Sequence, residues 1–214
     1  MSLNIIFMGT PKFSIPTLKI LKQSQHNIVC VYTQPPKKKS RGQKKLKTAV
    51  HTFSEKEGIK VKTNELKDKK EYEEFIKLGA DLVVVIAYGQ IIPEIYLKNP
   101  KLIFLNVHAS LLPKWRGAAP IERAILNKES ETGISIMKIE KKLDAGPFVK
   151  QVKVKINKEL TSGELTNKLS VIGAEALKDS IDLISSGKAI FNKQNEKEAT
   201  YAKKIEKIET RINW

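Results

Sequence analysis

Short apolar runs alternate with amphipathic segments along most of the chain. Seven runs have the length and composition of β-strands: Leu3–Met8, Ile28–Thr33, Ile59–Lys62, Leu82–Ala87, Leu102–Val107, Ile134–Ile139 and Val149–Lys155. Between them lie four helical patterns: Phe13–Gln23, Thr48–Glu57, Lys69–Leu78 and Ala118–Asn127. The run 82–87 is apolar on both faces, which is typical of a central parallel strand covered by helices on each side. The alternation therefore predicts an α/β fold, an open and mostly parallel Rossmann-like sheet with helices on both faces.

The longest predicted helix lies near the end of the chain. Thr161 and Glu164 form a capping-box pattern, because each side chain can satisfy a free amide at the helix start. Apolar residues then recur at helical spacing, and Gly187 is suited to end the helix. Residues 191–214 are polar and carry little apolar periodicity. We therefore expect one domain over 1–190 and a linker or extended segment over 191–214.

Composition narrows the class of protein. The formal net charge of +16 favours polyanionic partners, nucleic acid first, although lysine scattered by compositional bias gives the same total. No stretch approaches the roughly 20 apolar residues of a membrane helix, and the start lacks signal-peptide features. The single cysteine, Cys30, lies in a predicted buried strand. We expect a cytoplasmic monomer with no membrane partner and no metal site.

Candidate chemistry lies where predicted strands end, since ligands of open α/β sheets collect at the carboxyl ends of the strands. Gly9-Thr10-Pro11 suits a tight turn into a helix, and the absence of G-x-G-x-x-G disfavours a nicotinamide site. Asn106 and His108 end another strand two positions apart, so their side chains share a face. Asp144 lies in a later loop, where a turn aspartate is the ordinary interpretation.

Taken in order, these stretches resemble the formyltetrahydrofolate-dependent formyltransferases over essentially the whole chain. The motifs that carry the resemblance are N-x-H-x-S-L-L-P from Asn106, R-G-A-A-P from Arg116, E-T-G from Glu131 and L-D-x-G from Leu143. The resemblance implies that residues 1–190 are a formyltransferase catalytic domain. It implies catalytic roles for Asn106, His108 and Asp144. It also implies a loop that contacts the folate, made by Ser110, Leu111, Leu112 and Pro113.

The residue types suit the implied reaction, in which an amine takes a formyl group from 10-formyltetrahydrofolate. The Asn106 amide and a protonated His108 can donate hydrogen bonds to an oxygen on which negative charge develops. Asp144 can orient His108, pair with its charge and help to move a proton. No protein nucleophile is required, and no G-x-S-x-G elbow is present.

The acceptor amine is indicated by a basic segment. Residues 36–47 hold seven positive charges and no acid, on the edge of the sheet that carries the candidate site. A solvated lysine-rich loop is the ordinary interpretation of such a run. The segment nevertheless resembles the tRNA-contacting insertion of methionyl-tRNA formyltransferases, which implies that Arg41, Gly42, Lys44 and Lys45 bind initiator methionyl-tRNA. The endings Thr200-Tyr201-Ala202 and R-I-x-W from Arg211 resemble the same branch.

Three alternatives remain at this point. In the first two, the acceptor is an amino sugar of a nucleotide sugar or a glycinamide ribonucleotide. In the third, the fold serves as a non-catalytic basic RNA-binding module. Members of the resembled branch continue into a β-barrel-like C-terminal domain, which this sequence does not contain. We therefore expect the chain to bind tRNA weakly, mainly through residues 33–47.

Overall fold

The computed structural model describes residues 1–39, 44–157 and 159–211. The strands are β1 (Asn4–Gly9), β2 (Asn27–Tyr32), β3 (Lys37–Lys39), β4 (Lys44–Leu46), β5 (Val61–Lys62), β6 (Leu82–Ile86), β7 (Ile103–His108), β8 (Arg116–Gly117), β9 (Glu131–Lys138), β10 (Phe148–Lys155) and β11 (Tyr201–Ala202). The helices are α1 (Ile15–Gln23), α2 (Ala49–Lys56), α3 (Lys69–Ile76), α4 (Glu94–Leu97), α5 (Pro120–Leu126) and α6 (Ser162–Ser185). Three single turns of 3-10 helix occupy Lys12–Ser14, Glu196–Glu198 and Lys207–Thr210.

A seven-stranded sheet forms the centre of the molecule, in the order β10-β9-β7-β6-β1-β2-β5. The five strands from β7 to β5 run parallel, whereas β9 and β10 add antiparallel at one edge. The chain winds outward from β1 in one direction and then returns to lay β6 against its other side. The loops after β1 and β6 therefore border the crevice at which open α/β sheets bind their ligands. The predicted mostly parallel α/β fold is confirmed.

The sheet buries a different cluster of side chains on each face. Along β1, Ile5 and Phe7 pack on one face while Ile6 and Met8 pack on the other, and all four are fully buried. The first face is covered by α1 and α6 and the second by α3 and α4. Because side chains alternate along a strand, a run that is apolar at every position must be covered on both sides.

The helix ends follow the capping rules that the sequence indicates. The Thr48 and Thr161 hydroxyls each accept a backbone N–H of the first turn, and Thr161 forms the full capping box with Glu164. Gly187 follows α6 with φ +70°, a left-handed conformation that glycine adopts without a Cβ clash. Within the described ranges, no helix combines the length and apolar character needed to cross a membrane.

The elements that the sequence did not predict are all short. They are β3, β4, α4, β8 and β11, each of two to four residues. Segments of this length are too short to show a hydrophobic period, so only tertiary contacts define them.

Candidate active site

Two polar side chains end β7 on one face of the sheet. Phe104 packs into the cluster beneath α3 and α4, and Asn106 and His108 follow at the same alternation. His108 is buried and Asn106 is half-buried between its neighbours Val85 and Met137 on the adjoining strands. Asn106 and His108 therefore lie on the same face of the sheet, as their spacing in the sequence predicted.

The His108 ring is held by a backbone carbonyl. Its Nε2 lies 2.9 Å from the carbonyl oxygen of Trp115, and the His108 side chain is 6% exposed. Because a carbonyl only accepts, Nε2 carries the hydrogen in this contact. Trp115 adopts φ +59°, and this left-handed backbone brings its carbonyl back toward the strand end. Nδ1 is then the ring nitrogen that faces Asp144.

Asp144 faces that nitrogen from the loop between β9 and β10. Its Oδ2 lies 3.7 Å from His108 Nδ1 and accepts a hydrogen bond of 2.8 Å from the Gly117 backbone N–H. Asp144 has φ +48°, a conformation that aspartate tolerates better than most residues. A Cβ at Gly146 would lie 1.9 Å from the Lys138 carbonyl oxygen, so the loop closes this tightly only with glycine.

The predicted folate-contacting loop is partly interior. The Ser110 carbonyl accepts from the Ser135 hydroxyl at 2.7 Å, and that hydroxyl accepts from the Leu112 N–H at 3.0 Å. Ser110 and Leu112 are buried, whereas Leu111 and Pro113 are half-buried, and the Leu112–Pro113 bond is cis. A contact between this loop and folate stays a prediction, and Leu111 and Pro113 are its accessible side chains. Ser135, which fixes the loop, was not singled out from the sequence.

Two exposed apolar side chains flank the rim, the edge of the sheet at which Asn106, His108 and Asp144 lie. The sequence analysis assigned neither of them a role. Ile91 follows β6 and is 91% exposed, and Leu143 precedes Asp144 and is 63% exposed. The two loops are tied by an ion pair of 3.1 Å between Lys141 Nζ and Glu94 Oε2. Exposed aliphatic residues on facing loops suit a flat apolar ligand. The available signal was weak, because Ile91 and Ile92 form a pair too short for any periodicity.

The basic segment begins beside the same rim. Gln34 Nε2 donates to the Gly89 carbonyl at 2.8 Å, and Thr10 Oγ1 donates to the Tyr88 carbonyl at 2.8 Å. These contacts join the loops that follow β1, β2 and β6. The predicted position of the basic segment at the carboxyl edge therefore agrees with the structure.

Within the basic segment, β3 and β4 pair antiparallel. The register sets Lys38 opposite Lys45 and Lys39 opposite Lys44. Lys45 is exposed. Of the other predicted tRNA-binding positions, Lys44 belongs to β4, and Arg41 and Gly42 lie outside the described residues.

No group of three or more histidine, cysteine, aspartate or glutamate residues that could hold a metal occurs in the described part of the chain. Burial raises the pKa of the Cys30 thiol to about 11, so this thiol stays protonated at neutral pH.

A cavity of about 410 Å³ lies between α5 and the segment that follows α6, lined in part by Trp115, Arg123, Tyr201 and Lys203. Asn106, His108 and Asp144 are not among its lining residues, although Trp115, whose carbonyl holds His108, is.

The profile of the formyl transferase family matches residues 3–181, most of the chain. The chain is 49% identical to a methionyl-tRNA formyltransferase of Pelagibacter ubique, covering 100% of this chain and 70% of that protein. It is 45% identical to one of Coxiella burnetii, covering 100% of this chain and 68% of that protein. The chain belongs to the methionyl-tRNA formyltransferase family.

Solved structures support the fold. An N-formyltransferase from Helicobacter canadensis, solved with folinic acid and dTDP-3-aminofucose, matches with a TM-score of 0.71 at 23% identity. The match covers 100% of this chain and 74% of that one. At this identity the likeness concerns the architecture alone.

Proposed function

We propose that this chain transfers the formyl group of 10-formyltetrahydrofolate to the amino group of initiator methionyl-tRNA, the step that prepares this tRNA for translation initiation. The observation that carries the chemistry is the 3.7 Å approach of Asp144 Oδ2 to His108 Nδ1, on the face that Asn106 shares. The high identity to methionyl-tRNA formyltransferases over the whole chain supports the acceptor.

The rim fits a formyl-folate. Ile91 and Leu143 offer apolar contacts on two sides, and Leu111 and Pro113 offer further accessible surface from the loop after β7. A ring system held there lies beside polar groups that can act on an attached formyl group. When bound, 10-formyltetrahydrofolate supplies the formyl carbon on a nitrogen that can leave.

Asn106, His108 and Asp144 have different roles in the acyl transfer. Asn106 Nδ2 and a protonated His108 Nδ1 donate hydrogen bonds to the formyl oxygen while negative charge develops on it. Asp144 stabilises the protonated ring and accepts a proton from the attacking amine. The amine adds to the formyl carbon, its proton passes through Asp144 to the folate nitrogen, and the bond between that nitrogen and the formyl carbon then breaks.

The Trp115 carbonyl determines which nitrogen of His108 faces the reacting groups. Because it engages Nε2 as a donor, His108 is restricted to proton exchange at Nδ1, the nitrogen that faces Asp144. Binding the amine and the formyl group on that side places both reacting groups within reach of one exchangeable proton.

The acceptor is supported by the charge beside the rim. Residues 36–47 carry seven cations without an acid, and the register of β3 and β4 sets lysines opposite lysines. A phosphate backbone neutralises such a ribbon. Lys47, one of the seven cations, is already paired, since Glu55 accepts from it at 2.7 Å.

The test is a formylation assay on the full 214-residue chain. We expect formylmethionyl-tRNA from 10-formyltetrahydrofolate and methionyl-tRNA, and no product with a dTDP-amino sugar or glycinamide ribonucleotide as acceptor. His108→Ala and Asp144→Asn should each lower kcat by about 10²–10⁴-fold while folate binding persists. The exposed α6 variant Lys168→Gln is the control. Product from the amino sugar but not from tRNA would overturn the acceptor, and full turnover by either site variant would overturn the roles.

A further inference from the structure

The segment after α6 returns to the active-site rim. Asn192 pairs with Phe148 at the start of β10. Further on, β11 pairs in parallel with β8, and the Arg116 N–H donates to the Thr200 carbonyl at 2.9 Å. Residues 192–202 therefore contact both β8 and the strand that follows the Asp144 loop, and we place the end of the catalytic unit beyond residue 190.

Within this segment, Gln194 uses both ends of its amide. Its Nε2 donates to the carbonyl of Asp144 at 2.8 Å and to the carbonyl of Gly146 at 2.7 Å. Its Oε1 accepts from Arg116 Nε at 3.0 Å and from an Arg116 terminal nitrogen at 2.8 Å. One side chain thus joins the Asp144 loop to Arg116 of β8, the residue that precedes Gly117.

These connections form a closed circuit around the Asp144 carboxylate. Gly117 donates to its Oδ2, Gly117 follows Arg116, and Arg116 donates to the amide that holds the Asp144 carbonyl. The Arg116 side chain is 0% exposed, so little motion is available to it. Asp144 also has a left-handed backbone, which needs external contacts to persist.

We propose that Gln194 is a positioning residue for the reaction, setting the Asp144 carboxylate against His108 through the backbone of its loop. The proposal rests on the function proposed above. No acidic residue serves in place of Gln194, because a carboxylate accepts from Arg116 but cannot donate to two carbonyl oxygens. An apolar residue of equal length supplies neither interaction.

Arg116 keeps a second partner whatever occupies position 194. Its two terminal nitrogens donate to Glu196 Oε1 at 2.8 Å and to Oε2 at 3.2 Å. Gln194→Glu therefore leaves the buried guanidinium paired, removes both donors to the Asp144 loop and adds a negative charge beside two carbonyl oxygens, whereas Gln194→Met removes the donors without adding charge. The two substitutions together separate positioning from general folding.

The experiment compares wild type with Gln194→Glu and Gln194→Met, using Gln23→Glu on the exposed end of α1 as the matched control. We expect both position-194 variants to lower kcat about tenfold to a hundredfold, with KM for each substrate within about twofold. Amide hydrogen exchange measured by mass spectrometry should rise in peptides spanning 140–148 and stay unchanged in β1 and β6. Gln23→Glu should match wild type in both measurements.

The outcomes separate the two proposals. Wild-type kcat together with unchanged exchange in 140–148 for both variants would overturn the positioning role while leaving formyl transfer intact. A raised KM with unchanged kcat would overturn it too, since a substrate contact is then lost instead. If wild type itself formylates no methionyl-tRNA, the proposed function fails, and the exchange measurement still decides whether Gln194 holds the Asp144 loop. If Gln194→Glu does not fold, the uncharged Gln194→Met decides the same question.

Discussion

Two buried tyrosines that both pack against Phe75 allow a sharp test of the polar interactions beneath the sheet. The Phe75 ring lies 5.5 Å from the Tyr32 ring and 5.0 Å from the Tyr96 ring, centroid to centroid. Tyr32 donates its hydroxyl hydrogen to Glu71 Oε1 at 2.9 Å. The Tyr96 hydroxyl is buried and has no hydrogen-bond partner among the described residues. The perturbation is the same for both, tyrosine to phenylalanine.

The two substitutions should change stability in opposite directions. Tyr32→Phe removes a hydrogen bond to a carboxylate that is 5% exposed, which costs about 2 kcal/mol. Tyr96→Phe removes a hydroxyl that lost its hydration without gaining a partner, and should stabilise the protein by about 1 kcal/mol. Neither change leaves a cavity, because the ring is retained. Burial raises the pKa of Tyr96 to about 12, and it raises the pKa of Tyr32 as well. Both hydroxyls are therefore neutral at the pH of these measurements.

Urea unfolding followed by circular dichroism gives the free energies, and calorimetry gives the melting temperatures. For a chain of this length, about 1 kcal/mol corresponds to roughly 2–4 °C in Tm. Tyr32→Phe should therefore melt about 4–8 °C lower and Tyr96→Phe about 2–4 °C higher than wild type. A loss of stability in Tyr96→Phe equal to that in Tyr32→Phe would refute the reasoning. The result matters for the rim, because Tyr32 ends β2 immediately before the basic segment.

Three further predictions concern single side chains. The Arg116 guanidinium holds the pKa of Glu196 at about 2, below its ordinary value of 4.5. The ionised Glu196 carboxylate has its full stabilising effect above pH about 4.5 and loses it as the pH falls through about 2. The difference in free energy of unfolding in urea between wild type and Glu196→Gln should therefore disappear near pH 2. Thr161→Ala removes the cap of α6 and should cost about 1 kcal/mol in thermal melts. Lys45→Gln should reduce the slope of log affinity for tRNA against log salt by about one, whereas Lys168→Gln should not.

The sequence predicted the sheet and the long helices because each carries a strong period. The run 82–86 is apolar at every position and became the fully buried β6, and the capping box at Thr161 began α6 where expected. Boundaries shifted by one to three residues. β9, for example, starts at Glu131 rather than Ile134, because pairing with β10 extends through Thr132 and Gly133 although neither adds to the apolar run.

Geometry that depends on backbone conformation could not be predicted. Neither the left-handed Trp115 nor the left-handed Asp144 is a glycine, so the sequence indicates no positive φ at Trp115 and only an ordinary turn at Asp144. The carbonyl that orients His108 is an atom every residue possesses. Gln194 lies in a polar stretch without period, and a lone glutamine there indicates nothing until its four hydrogen bonds are seen.

These contacts identify residues 115–117 as the part on which the candidate chemistry depends most. Trp115 fixes the imidazole through its carbonyl, and Gly117 fixes the carboxylate through its N–H, so the 3.7 Å separation is set by two backbone groups two residues apart. Among the described residues, the short strand β8 has one ladder partner, β11, from the segment that follows α6. A displacement of β11 would therefore move His108 and Asp144 together, whereas loss of the Gln194 amide would release Asp144 alone. The two perturbations should differ in ring orientation at His108, which the imidazole signals in nuclear magnetic resonance spectra report directly.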